Sequence, residues 1–150
     1  MTIDLGLTHI ALPVLDVERS IEFYSTYARM QAIHRRVDTE SGVAVVWLCD
    51  GTRPFAIVLI QTDSVHPTLS PFAHLGVGCE SRESMDALCD RARHEGILLQ
   101  GPQNSGPPVG YWAFLRDPDG HTLELSYGQE IGLTVEKTKS FQAERSQPPH

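Results

Sequence analysis

The chain has 150 residues, 41% of them hydrophobic and 21% charged, which is material for one compact domain with its own core. A net charge of −7 and a pI near 5.4, with Arg35-Arg36 as the densest basic cluster, exclude a nucleic-acid partner. Cys49, Cys79 and Cys89 form neither a CxxC pair nor an even set, which fits free thiols in a reducing cytoplasm.

In chain order, LTHIALPV (7–14) alternates like a strand, with no signal-like basic and apolar segments around it. DVERSIEFYSTYA (16–28) then opens on a good N-cap, Asp16, and places Val17, Ile21, Tyr24 and Ala28 on one helical face. Three strand-like runs follow at 30–37, 43–49 and 55–61, separated by the turn-rich TESG and DGTRP. The longest apolar runs among them, VAVVWLC and FAIVLI, are too short to span a bilayer, so no membrane association is expected.

After a linker at 62–71, FAHLGVGC (72–79) reads as a strand and 81–96 as a helix capped by Ser81 and stopped by Gly96. ILLQ, YWAFLRD and HTLELSY supply three more strands. The order βαβββ therefore occurs twice, in modules 5–62 and 72–128 of a single domain spanning 1–128. Residues 129–150 change to a polar composition ending in Pro-Pro and read as a partly extended tail.

An offset of 65 residues overlays His9 on His74, Asp16 on Ser81 and Trp47 on Trp112, and sets Leu59 against Glu124. The fold class is thus α+β, with two sheets forming a curved trough whose wall carries positions 9, 59, 74 and 124. Alternation places His9, His74 and Glu124 on the less apolar side of their strands. Glu124, between Leu123 and Leu125, is a carboxylate in a half-buried run and needs a counter-charge. Two imidazoles and one carboxylate are a donor set for Fe, Mn, Ni, Co or Zn, and three protein ligands leave coordination positions open.

At these residues the chain resembles the vicinal oxygen chelate superfamily, which includes glyoxalase I, extradiol dioxygenases and bleomycin resistance proteins. THIALPVLDVERSIEFYSTYARM resembles the opening strand and helix, FAHLGVGC the central His strand, and AFLRDPDGHTLEL the closing hairpin. The resemblance implies a divalent metal held by His9, His74 and Glu124, a small-molecule substrate with two adjacent oxygens, and a homodimer. Glu124 is then also a candidate catalytic group.

Departures from the family pattern bear on the reaction. Glyoxalase I carries a second carboxylate where Leu59 falls, and Gln61, two residues on, is a candidate substitute. The Thr of fosfomycin-modifying enzymes falls at Ala11, and the Tyr of extradiol dioxygenases at Phe114, with Tyr111 or Tyr127 as candidate phenols. Arg29 stands where a helix-ending Gly is usual. Dioxygenase and lyase or isomerase chemistry both stay open, as does the alternative of a bleomycin-resistance-like module that binds without catalysis. His34, beside Arg35 and Arg36, is a candidate contact for an anionic substrate, whereas His94, His121 and His150 are expected in solvent. GPQNSGPPVG (101–110) is expected to be a loop at the rim of the site.

Overall fold

The structure is a computed structural model and describes residues 3–146. The expected elements all form: β1 (His9–Val14), α1 (Val17–Ala28), β2 (Gln31–Val37), β3 (Ala44–Cys49) and β4 (Ala56–Gln61) make the first module. The second consists of β5 (Leu75–Gly78), α2 (Arg82–His94), β6 (Leu98–Asn104), β7 (Tyr111–Arg116) and β8 (Thr122–Tyr127). Each module is a four-stranded mixed sheet, ordered β1-β4-β3-β2 and β5-β8-β7-β6, with β1·β4 and β5·β8 parallel. The chain is therefore α+β with paired βαβββ modules. Among the described residues no helix is long and apolar enough to cross a membrane.

Both helices begin at the caps expected from sequence. The Asp16 carboxylate accepts from the N–H groups of Glu18 and Arg19, and the Ser81 hydroxyl from that of Ser84. Helix α1 ends at Arg29 in the left-handed region, φ 52°, a conformation that disfavours any residue with a Cβ. The Arg29 guanidinium is held at 3.1 Å from Glu80, in the other module.

One face of each sheet is covered by its helix. Leu12, Val14, Leu48, Ile57 and Leu59 bury against Phe23, Tyr24 and Tyr27 of α1, while Leu115, Leu123 and Leu125 bury with Met85, Cys89 and Ala92 of α2. These groups belong to one continuous core. The two helix-covered faces thus contribute to one core, and the opposite face of each sheet lies outside it.

The turn DPDGH (117–121) fastens the modules together. Tyr24 donates its hydroxyl proton to Asp117 at 2.8 Å, the Leu15 N–H donates to Asp119 at 2.9 Å, and His121 Nε2 lies 3.0 Å from the Pro13 carbonyl. His121, expected in solvent, is 0% exposed: the turn folds back onto β1. Its Nδ1 has no hydrogen-bond partner among the described residues.

Two further expectations change. The segment Gly101–Asn104 belongs to β6, so only the remainder of 101–110 is loop. Within that loop Gly110 has φ 80°, and a Cβ there would lie 2.6 Å from the Tyr127 carbonyl oxygen, so glycine is required. The tail is not extended: Ile131–Arg145 is a helix, α3, with no buried residue. Its apolar residues make no single stripe, which is why periodicity missed it. His150 and the Pro-Pro ending lie outside the described residues.

Candidate metal centre

The candidate site is built outward from β8. In a parallel pair, partnered residues present their side chains on the same side, and Gly76 pairs with Glu124. His74, two residues before Gly76 and just ahead of β5, therefore shares a face with Glu124. Its Nε2 lies 3.0 Å from Glu124 Oε2, and Glu124 is 8% exposed. The other carboxylate oxygen accepts from the Gln129 side-chain amide at 3.3 Å.

The hydrogen-bond directions around His74 define what the site can take. Nδ1 is 2.7 Å from the Phe72 carbonyl oxygen, which can only accept, so Nδ1 carries a proton. In a neutral ring Nε2 would then aim its lone pair at a carboxylate. A proton or a bound cation is needed between them. An Nδ1–H fixed on a carbonyl with Nε2 directed at the site is the arrangement of a metal-binding histidine. The pair thus fits a divalent cation.

His9 sits on the first module with the same polarity. It opens β1 on the exposed face with Ala11, and its Nδ1 lies 2.9 Å from the Thr8 hydroxyl, leaving Nε2 available. One chain does not bring it to the other two. Among the described residues no three His, Cys, Asp or Glu side chains are gathered closely enough to hold a metal ion. Nor is β1 hydrogen-bonded to β5: each is the outer strand of its own sheet.

The register corrects the fourth position. Ala11 pairs with Val58 on the first module as Gly76 pairs with Glu124 on the second, so the counterpart of Glu124 is Val58, 66 residues earlier. Leu59 is 0% exposed and faces α1. In the same way Trp47 pairs with Val58 and Phe114 with Glu124, so Trp47 corresponds to Phe114, not Trp112. The second module is longer by two residues before β7 and shorter by one between β7 and β8, so a single offset slips by one or two residues after the first helix. The position opposite the carboxylate is apolar in either reading.

Gln61 and Tyr111 lie on the helix-covered sides. The Gln61 side-chain oxygen accepts the Val17 N–H at 3.1 Å, completing the N-terminus of α1. Tyr111 donates to Asp86 of α2, and the Arg82 guanidinium stands 4.1 Å above its ring. Both are removed from the candidate site by strand parity, which alternates faces residue by residue. Tyr127 shares that parity and is partly exposed. His34 does face the open side, its ring tilted against that of Trp47 with centroids 4.7 Å apart.

Sequence reasoning missed Gln129. Its signal, a lone amide after a glycine, becomes meaningful only once α3 starts beside the β8 end. Burial also acts on groups elsewhere in the fold. Desolvation raises the Asp117 carboxyl above its ordinary value, against the lowering by its hydrogen bond from Tyr24, and pushes the Cys89 thiol to about 11. A thiol so raised is no nucleophile.

Comparison with known proteins places this arrangement. The family model for the Glyoxalase/Bleomycin resistance protein/Dioxygenase superfamily matches residues 6–125, and the chain belongs to that superfamily. An uncharacterised protein of Pseudomonas aeruginosa is 36% identical over 84% of this chain and 91% of its own. A probable lactoylglutathione lyase of Vibrio cholerae is 26% identical, covering 87% of this chain and 96% of that one. Among solved structures, a point mutant of the fosfomycin resistance protein FosX of Listeria monocytogenes, in complex with Mn(II) and 1S,2S-dihydroxypropylphosphonic acid, superposes with a TM-score of 0.68. It covers 89% of this chain and 99% of its own at 20% identity, and so shows likeness of fold. Helix α3 lies wholly beyond the matched residues.

Proposed function

We propose that the protein is a divalent-metal enzyme acting on a small molecule that offers two adjacent oxygens, and that its site is shared between two copies of the chain. His74 and Glu124 come from one copy and His9 from the other. The observation that carries this reading is the His74–Glu124 pair at 3.0 Å, with Nδ1 fixed on Phe72 and, among the described residues, no third ligand from the same chain.

The outer strands β1 and β5 support a shared site. Among the described residues each has an unpaired hydrogen-bonding edge, and each is preceded by large exposed apolar side chains: Leu5 and Leu7 before β1, Phe72 before β5. Unpaired edges beside exposed apolar groups are an association surface. A second copy that sets its β1 against β5 would bring His9 to the pair, bury those side chains and join the two trough walls. The resulting assembly is a twofold homodimer with two equivalent sites.

A bound metal would supply Lewis acidity, stabilising negative charge that develops on the substrate oxygens. Glu124 balances the cation, and Gln129 fixes the carboxylate through its other oxygen. Val58 provides no second carboxylate, so proton transfer between two acidic groups across the metal is unavailable to this chain. Chemistry with one protein base remains, of the lyase or isomerase type suggested by the sequence relatives. Dioxygenase chemistry is the second reading, favoured by a donor set of two His and one carboxylate with open positions.

Metal analysis of protein purified without chelators tests the proposal. About one equivalent per chain is expected, falling below about a tenth in Glu124→Ala. Less than a tenth in the parent, with no gain on adding Fe, Mn, Ni, Co or Zn, would overturn it. Iron with oxygen-dependent turnover would select the second reading. Retained ligand affinity without any turnover that Glu124→Ala abolishes would select a sequestering protein.

A further inference from the structure

Beyond the candidate ligands, both trough walls carry aromatic side chains on their open faces. On the first wall Trp47, 38% exposed, packs against the tilted ring of His34. On the second, the Phe114 ring lies 5.0 Å from that of His74 and 4.9 Å from that of Trp112. Trp47 and Phe114 are counterparts, each on the strand beside position 58 or 124. These rings lie across their strands from the buried Val46, Leu48, Ala113 and Leu115, so packing in the core does not account for them.

The first wall also carries charge. Arg35 points to the helix side, 2.5 Å from Glu18 of α1. Arg36, the next residue, is therefore on the trough side with His34, and among the described residues it has no ion-pair partner. The second wall presents Gln100, paired with Phe114, where the first presents His34. A guanidinium on the same open face as His34 and Trp47, without an ion-pair partner among the described residues, suits an anion.

We infer that the site takes a planar aromatic or conjugated molecule bearing an anionic group remote from its metal-binding oxygens. The ring lies between Trp47 of one copy and Phe114 and Trp112 of the other, and the anion meets Arg36. This assignment rests on the shared site proposed above, because the two aromatic walls join only in the dimer.

Calorimetric titration of the full-length, Mn(II)-supplied protein tests it with 2-naphthalenesulfonate, 2-naphthol and cyclohexanesulfonate. A sulfonate is a weak ligand for such a metal, so its affinity reports the walls. The planar anion is expected to bind about tenfold more tightly than either of the others. Arg36→Gln should weaken it about tenfold while leaving 2-naphthol within about twofold. Trp47→Leu should weaken both naphthalenes and leave Mn(II) stoichiometry unchanged. Equal binding of all three probes, or no response to Arg36→Gln, would overturn the inference. Mn(II) content is read on the same samples. Metal present without preference for the planar anion removes this inference alone, whereas the preference without metal removes the metal reading and leaves the aromatic subsite standing.

Discussion

Glu124 stays buried because His74 and Gln129 each take one of its oxygens, and the face it occupies can be tested one residue at a time. Val58 is the register counterpart of Glu124, while Leu59 lies in the core. Val58→Glu should therefore fold and tighten Mn(II) binding about tenfold, since it adds a hard oxygen donor to the site. Leu59→Glu should lose more than about 3 kcal/mol in urea denaturation, because it places an unpaired charge among apolar side chains. If Leu59→Glu folds and gains metal while Val58→Glu does not, the register assignment is wrong. The pairing of His74 with Glu124 on one face was legible in the sequence from strand alternation, and the recurrence of His9 as His74 from the repeat, whereas Glu124 has no acidic counterpart in the first module. The faces of Gln61 and Tyr111 were not legible, since a shift of one residue reverses a strand's side chains and loop length alone cannot fix it.

Between elements, the DPDGH turn is the joint that holds the modules in one orientation. Tyr24→Phe removes the donor to the Asp117 carboxylate and should lower stability by about 1–3 kcal/mol. Asp117 also gives a pH signature. Burial raises its carboxyl above the ordinary value of 3.8, so the fold binds that proton more tightly than the unfolded chain does. Its contribution is fully present below that value and declines as pH rises through the raised one. Asp117→Asn should flatten this part of the stability profile, measured by urea denaturation across the acid range. An unchanged profile would show that Asp117 titrates as it does in the unfolded chain. Both helices and all eight strands followed from alternation, caps and turns. The clasp did not, because it joins residues as far apart as Pro13 and His121, and nothing local to GHT marks the histidine for burial. Helix α3 escaped for the opposite reason: it buries no face, so it leaves no periodic trace.

For the whole molecule, the internal repeat and the paired modules were readable from the chain, whereas the absence of a gathered three-ligand cluster among the described residues depends on how the modules pack. Their helix-covered faces share one core, and this leaves β1 and β5 as separate open edges. Sedimentation should show a dimer at micromolar concentration, and an acidic residue at Leu7 or Phe72 should dissociate it, because it charges a surface that association buries. The central claim is that a metal site needs His9 from one chain and Glu124 from another. It is tested by mixing equal amounts of His9→Ala and Glu124→Ala proteins under conditions that exchange subunits. Half of the dimers then contain one chain of each kind, and each mixed dimer has one intact site. Metal binding should return to about a quarter of the parent capacity above the unmixed variants. No recovery in demonstrated mixed dimers would contradict the shared site.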